Sequence, residues 1–308
     1  MDALSEVLRL SRFSAQVTLD ATAAAPWCVS VAASSSIARA HLVIDGQCEL
    51  KLSGAEPVTL NAGEIAFIAN GEAHLIGHPL DAEAKPFSAL VKSPVAGEQV
   101  PVRLGGNGAT TRWIAISSSC ERHLALPLIS ALPRVMKVDL SNAAALEWLV
   151  DALGLTLSAS AAPPVGASAE RSRLAELVLV EAISRHVYWL PQGGKGWLAG
   201  LGDRFVGRAL ALVHGRPEEP WTVERLGRNV GLSRSALAER FVQVMGEPIF
   251  GFLTRWRLTM AAEFLLTTRR PIESIAHDAG YESAGAFSAA FKRTFGKPPS
   301  SWRKRRRR

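Results

Sequence analysis

Two groups of side chains in this 308-residue chain could do chemistry by their types and spacing. In the first, Arg39 and His41 stand two residues apart in ARAHLVIDG, so a strand would carry both on one face. His74 closes the stretch GEIAFIANGEAH. A guanidinium and two imidazoles together would make a cationic lining for an anionic or acceptor-rich small molecule. A plainer reading stays open for each: His41 as a hydrogen-bonded core histidine, Arg39 as the partner of a carboxylate. Cys120 and His123 could join His74 around zinc, although the spacing follows no strong metal pattern. In the second group, Arg234, Ser235, Glu239 and Arg240 run through SRSALAERF, and Ser283, Ser288, Lys292 and Arg293 through ESAGAFSAAFKR. Arg and Lys bind phosphate and guanine, Ser reaches several base edges, and a carboxylate accepts from a cytosine amino group. No phosphate-cradling glycine loop, dinucleotide fingerprint or nucleophile elbow occurs, so no catalytic residue and no cofactor is expected.

The elements that position the second group occur twice. TVERLGRNVGLSRSALAERF (Thr222–Phe241) and PIESIAHDAGYESAGAFSAAF (Pro271–Phe291) align on Gly231 and Gly280. Val223 and Leu226 then match Ile272 and Ile275, one buried face of a first helix. With one extra residue after the second turn, Leu237, Phe241, Gly246 and Pro248 match Phe287, Phe291, Gly296 and Pro298. Thr222, Ser233 and Ser283 are suited to N-caps and Pro271 to a first helical position. Between the copies, Phe250, Leu253, Trp256, Met260, Phe264 and Leu265 recur at helical spacing and describe a connecting helix. A further helix is expected over 203–215, about seven helices in all. The pattern is a duplicated helix-turn-helix: two recognition helices on one body, spaced for successive major-groove segments.

Charge divides the chain the same way. Residues 203–308 hold 20 Lys/Arg against 10 Asp/Glu, while residues 1–202 hold 15 against 18, which is the balance of a nucleic-acid module joined to something else. Six consecutive basic residues, Arg303–Arg308, form a tail that adds salt-sensitive, sequence-independent attraction.

The first group belongs to a different fold. QVTLDA, WCVSVA, ARAHLVIDG, QCELKL, PVTLNAG, EIAFIANG and WIAIS are short apolar or alternating runs between Gly, Pro and Asn, the pattern of an antiparallel barrel or sandwich. Helical periodicity returns over 143–157 and 171–190, around a loop at 158–169 rich in Ala, Ser, Pro and Gly. The helix pair is either core cover or a dimer seam. The expected fold class is thus α+β multidomain. A sensor barrel spans 1–140, a helical linker 141–200, the double helix-turn-helix 201–303 and the basic tail 304–308. Three scattered cysteines imply no disulfide framework, and no run has the length of a signal peptide or membrane span, so a cytoplasmic protein without a membrane partner is expected.

Residues 203–303, through TRWRLTMAAEFLLTT to the closing FGKPPSSWR, resemble the DNA-binding domain of the AraC/XylS family of bacterial transcription regulators. The resemblance implies base-reading positions at Ser235, Ala238 and Glu239, flanked by Arg234 and Arg240, and at Ala284, Gly285, Ser288 and Ala289. The second set departs from the family, where a basic or amide residue is common at the place of Ala289; this head would grip phosphate through Lys292 and Arg293. GEIAFIANGEAH resembles the second motif of cupin barrels, with Ala69 in place of Pro. Of four cupin metal ligands only His74 is present: the carboxylate position falls on Arg39 and the paired His positions among Ala32, Ala33, Ser34 and Ser35, so no metal is expected in the barrel. Cupin geometry would turn Arg39, His41 and His74 inward. The resemblance implies a homodimeric activator that binds double-stranded promoter DNA, answers a small-molecule effector and works with RNA polymerase. The alternative is a metal-independent cupin ligand-binding protein or enzyme with a non-specific nucleic-acid-binding helical domain.

Overall fold

The structure is a computed structural model that describes residues 2–91, 102–141, 148–153, 166–191 and 193–304. It divides into two units. One comprises residues 12–120 and 132–189; the other joins residues 1–11 and 121–131 to residues 190–308.

The first unit holds two sheets rather than one closed barrel. The six-stranded sheet places β11 (Met136–Asp139), β6 (Glu64–Ile68), β3 (Ala38–Asp45), β10 (Thr110–Ser119), β1 (Ser14–Ala24) and β9 (Val102–Gly105) side by side in that order. The five-stranded sheet runs β5 (Val58–Asn61), β4 (Gln47–Leu52), β7 (His74–His78), β2 (Trp27–Val31) and β8 (Ala84–Pro86). Most pairs are antiparallel, but β9 and β8 lie parallel to β1 and β2 at the sheet edges, a departure from the all-antiparallel expectation. Alternating residues of both sheets, among them Leu19, Val29, Val43, Leu50, Ile68, Ile76 and Ala115, share one apolar core. At its centre Trp27 and Trp113 stack with ring centroids 4.4 Å apart, joining the sheets. The seven apolar runs became β1 to β6 and β10. The polar or very short β7, β8, β9 and β11 lack that pattern and take strand form by pairing with neighbours. A short helix, α2 (Phe87–Leu90), brings the Phe87 ring to the core edge.

Helix α4 (Ala167–Tyr188) packs on β1 and β11 through Leu174, Val178, Leu179 and Ile183. It starts earlier than the expected 171, because Ala167–Ala169 are helical and not loop. The remainder of the expected loop, residues 158–165, lies outside the described residues. Of the helix expected over 143–157, only 148–153 are described, and they are helical.

The second unit is helical: α1 (Ala3–Leu10), α3 (Arg122–Ala131), α5 (Trp197–Gly202), α6 (Arg204–Gly215), α7 (Val223–Val230), α8 (Arg234–Met245), α9 (Ile249–Thr267), α10 (Ile272–Asp278), α11 (Ala284–Phe295) and α12 (Pro299–Arg303). Helix α1 packs against α6, and α3 against α5 and α9, so two segments expected in the barrel belong to this unit. Both amphipathic helices bury their apolar side here, where Val7 and Leu124 are almost fully covered. The connecting helix α9 runs between the two helix-turn-helix copies as expected. No helix among the described residues is long and apolar enough to cross a membrane.

Candidate functional site

The two helix-turn-helix copies are built alike. Each first helix ends in a glycine with positive φ, +86° at Gly231 and +81° at Gly280, a conformation that costs other residues strain. At Gly280 a Cβ would also stand 2.8 Å from a guanidinium nitrogen of Arg257, which donates to the carbonyls of Pro217 and Glu219. The side chains of Ser233 and Ser283 then accept from the amides of Ala236 and Ala286, both at 3.2 Å, and start second helices of 12 residues each. Leu237 and Phe241 are fully buried in α8, as are Phe287 and Phe291 in α11. Burying these residues turns the opposite stripe outward. Ser235, Glu239 and Arg240 are exposed on α8 with Ala238 at the margin; Gly285, Ala289, Lys292 and Arg293 are exposed on α11 with Ala284 and Ser288 at the margin.

The outward faces differ in chemistry. Arg234 forms an ion pair with Glu224 at 3.0 Å and Arg240 a forked one with Asp203 at 2.7 Å. Asp203 also caps α6, accepting from the amides of Phe205 and Val206. Burial opposes its ionisation, but the Arg240 fork and these amides outweigh it and hold the carboxyl below its usual range. Arg240 lies over the Phe205 ring as well, 5.4 Å from its centroid. It is therefore a tie between α8 and α6, a role that its spacing in the sequence does not reveal. Lys292 and Arg293 sit in the last turn of α11, where cations complement the helix dipole. Arg303, the first residue of the basic tail, lies in α12 and donates to the Arg270 carbonyl at 2.5 Å; residues 305–308 lie outside the described residues.

In the first unit, β3 carries Arg39, His41 and Val43 on the core-facing side, and His74 stands on β7 of the other sheet. The His41 and His74 Nε2 atoms are 2.8 Å apart, and His74 Nδ1 lies 2.8 Å from the Glu72 carbonyl. That carbonyl can only accept, so Nδ1 of His74 carries the proton, its Nε2 accepts, and His41 Nε2 donates. Burial holds His41 well below its ordinary pKa, with the neighbouring His74 and Arg39 charges acting the same way; His74 is lowered too, again chiefly by burial. Burial therefore favours the neutral form of both rings. The cationic lining expected from the sequence thus reduces to Arg39, because desolvation penalises the imidazolium form. Arg39 donates to the Ser117 hydroxyl and lies over the Phe87 ring at 5.2 Å, with its buried Nε unpaired. No carboxylate pairs with it among the described residues.

The two histidines weighed with Cys120 for a chelate, His74 and His123, each have a partner within their own unit. Both ring nitrogens of His74 are engaged as described, and His123 Nε2 lies 2.6 Å from a Glu263 oxygen in the helical unit. Cys28 and Cys48 are buried in the sheets, and burial, with the Glu49 charge, pushes the Cys48 thiol up to about 12. Neither is poised to react.

The chain matches two families: Cupin over residues 2–188 and Helix-turn-helix domain over residues 226–305. An AraC-like transcription regulator of Streptomyces lividans is 31% identical over 99% of this chain and 98% of its own length. One from Streptomyces antibioticus is 30% identical over 99% of both chains. The transcriptional regulator AlkR of Acinetobacter baylyi is 28% identical over 98% of this chain and 99% of its own.

Proposed function

The chain belongs to the AraC-like transcription regulators and is a DNA-binding regulator with a cupin domain ahead of a helix-turn-helix domain, and we propose that it acts as an effector-responsive activator. The observation that carries the DNA-reading assignment is the pair of equal, serine-capped helices, each with its apolar side buried and its polar or small-residue side outward. Helices presented in this way enter successive major-groove segments. We assign base or backbone contacts to Arg234, Ser235, Ala238, Glu239, Arg240, Ser283, Ala284, Gly285, Ser288, Ala289, Lys292 and Arg293. Arg234 and Arg240 must exchange carboxylate partners for DNA phosphate to take part.

The proposed effector site is the inter-sheet interior at Arg39, His41 and His74. A half-buried guanidinium without a carboxylate partner suits an anionic or acceptor-rich organic molecule. A homodimer is proposed through the helical linker, where Leu177 and Tyr188 of α4 are exposed eleven residues apart on one helix face. RNA polymerase contact, cytoplasmic location and the absence of catalysis belong to the same reading.

Footprinting of promoter-region DNA by the purified protein, with and without a metabolite extract, tests this proposal. The expected result is one short protected site, about two major-groove turns per protomer, whose occupancy changes with the extract. Binding that scales only with DNA length would overturn sequence-specific regulation.

A further inference from the structure

The helical unit contains a cluster that neither the DNA-reading faces nor the effector site uses. Glu121, His123 and Glu263 bring two carboxylates and an imidazole together, with one ligand atom from each lying within 4.8 Å of the others. They come from two rigid places. Glu121 precedes α3 and is pinned by its backbone, its amide donating to the Ser11 carbonyl at 2.7 Å and its own carbonyl accepting from Leu124 and Ala125. Glu263 lies on the connecting helix α9, its side chain only 8% exposed.

Charge in this cluster is unbalanced. One Glu263 oxygen meets His123 Nε2 at 2.6 Å, while the other, Oε1, is buried with no hydrogen-bond partner. No Lys or Arg pairs with either glutamate among the described residues. A buried carboxylate oxygen without a donor, beside a second carboxylate, costs more than a surface group unless a cation neutralises it. His123 also lines a cavity of about 840 Å³ bordered by Leu126, Trp256 and Thr259, which supplies an entry path.

We propose that Glu121, His123 and Glu263 form a binding site for a divalent transition-metal ion of the zinc class. One nitrogen and two carboxylate oxygens suit zinc, with water in the fourth position, better than calcium or magnesium, which favour all-oxygen sets. The ion takes the place of the proton between His123 and Glu263 and recruits the unpaired Oε1 side of the carboxylate. In doing so it fastens α3 to the helix that joins the two DNA-reading heads. In the chain, α3 is an insertion between strands β10 and β11 of the cupin unit. The site thus makes the hold of that insertion on the heads depend on metal, independently of any effector in the sheets.

The test uses untagged, chelator-stripped full-length protein with Zn²⁺, followed by competition with a chromophoric chelator, and with Co²⁺ as a spectroscopic probe. The expected result is one ion per chain, a Zn²⁺-dependent rise in melting temperature, and a Co²⁺ absorption band of low coordination number. Glu121→Gln and His123→Gln should each weaken Zn²⁺ binding at least tenfold and remove the melting shift. Glu263→Gln should do the same, but it is buried; Glu121→Gln, at a less buried position, keeps the test decisive if Glu263→Gln fails to fold. Absence of a stoichiometric ion in the wild type would overturn the proposal. So would an ion bound equally well by the Glu121→Gln and His123→Gln proteins.

Discussion

Arg39 places a positive charge between the sheets with a hydroxyl and an aromatic ring for partners and no carboxylate. A half-buried charge so weakly compensated opposes folding, and its partial burial lowers its pKa. Arg39→Met should therefore leave the melting temperature unchanged or raise stability by at most about 1 kcal/mol, because apolar replacement of a poorly paired, partly buried charge is often neutral or stabilising. The same variant should lose the response to effector in footprinting while basal DNA binding persists. A loss of more than about 2 kcal/mol would mark Arg39 as structural. His214 shows the same effect of burial on a fully enclosed ring. It is enclosed by Trp197, Phe252 and Trp256, accepts from Trp197 Nε1 at 3.2 Å, and burial lowers its pKa to about 3. The folded ring stays neutral while the unfolded chain takes up a proton below about 6.5. This contribution to stability is complete above pH 6.5 and is lost as pH falls toward 3, by at most about 1.4 kcal/mol per pH unit. His214→Leu should flatten that slope in denaturant titrations run from pH 7 to pH 4, even though it leaves the Trp197 N–H unpaired and lowers the stability at neutral pH. An unchanged slope would show that other groups set the acid limit.

At the scale of elements, the two recognition helices share their caps and length but not their outward chemistry. Ser233→Ala and Ser283→Ala each remove a 3.2 Å capping bond and should cost about 1 kcal/mol in thermal or denaturant unfolding. The specificity of the heads should divide unequally. Ser235→Ala or Glu239→Ala should change which bases are preferred under the first head. Ala289→Arg should tighten binding under the second, with a new preference of about 1–3 kcal/mol for guanine. Selection of binding sites from a randomised DNA pool would measure both. A more stringent half-site under the wild-type second head would reverse the ranking. Arg240 qualifies the first head. Its fork on Asp203 ties α8 to α6, so Arg240→Ala should reduce stability as well as DNA affinity, whereas a residue that only contacts DNA would spare stability.

For the whole molecule, the basic half and its tail govern salt dependence. Because Arg303 is tied to the Arg270 carbonyl, the free electrostatic contribution is best removed by deleting Arg305–Arg308. This should weaken binding to specific and unrelated DNA about equally and reduce the slope of log affinity against log salt by up to about 3–4 units. A loss confined to the specific site would show that the tail reads sequence. The units also cross the expected boundaries: residues 1–11 and 121–131 belong with the helical unit. A fragment beginning at Leu201 lacks α1, α3 and α5. It should still bind DNA through both heads, yet melt lower than the same helices in the full chain, because the α6 face that α1 covers becomes exposed.

The sequence alone determined what local periodicity and turn chemistry encode. Gly231 and Gly280 mark left-handed turns, Ser233 and Ser283 start helices, and the apolar runs become seven of the strands, because each of these is decided within a few residues. The duplicated motif was legible for the same reason. Whatever depends on partners far apart in the chain was decided by tertiary packing. The neutrality of His41 and His74 comes from their mutual burial across two sheets. The pairing of Arg240 with Asp203 spans 37 residues and that of His123 with Glu263 spans 140. The zinc chelate weighed for His123 from the sequence named Cys120 and His74, because the carboxylate it meets is supplied from the distant connecting helix. Desolvation and long-range contact set the chemistry of these residues, and neither leaves a periodic trace in the chain.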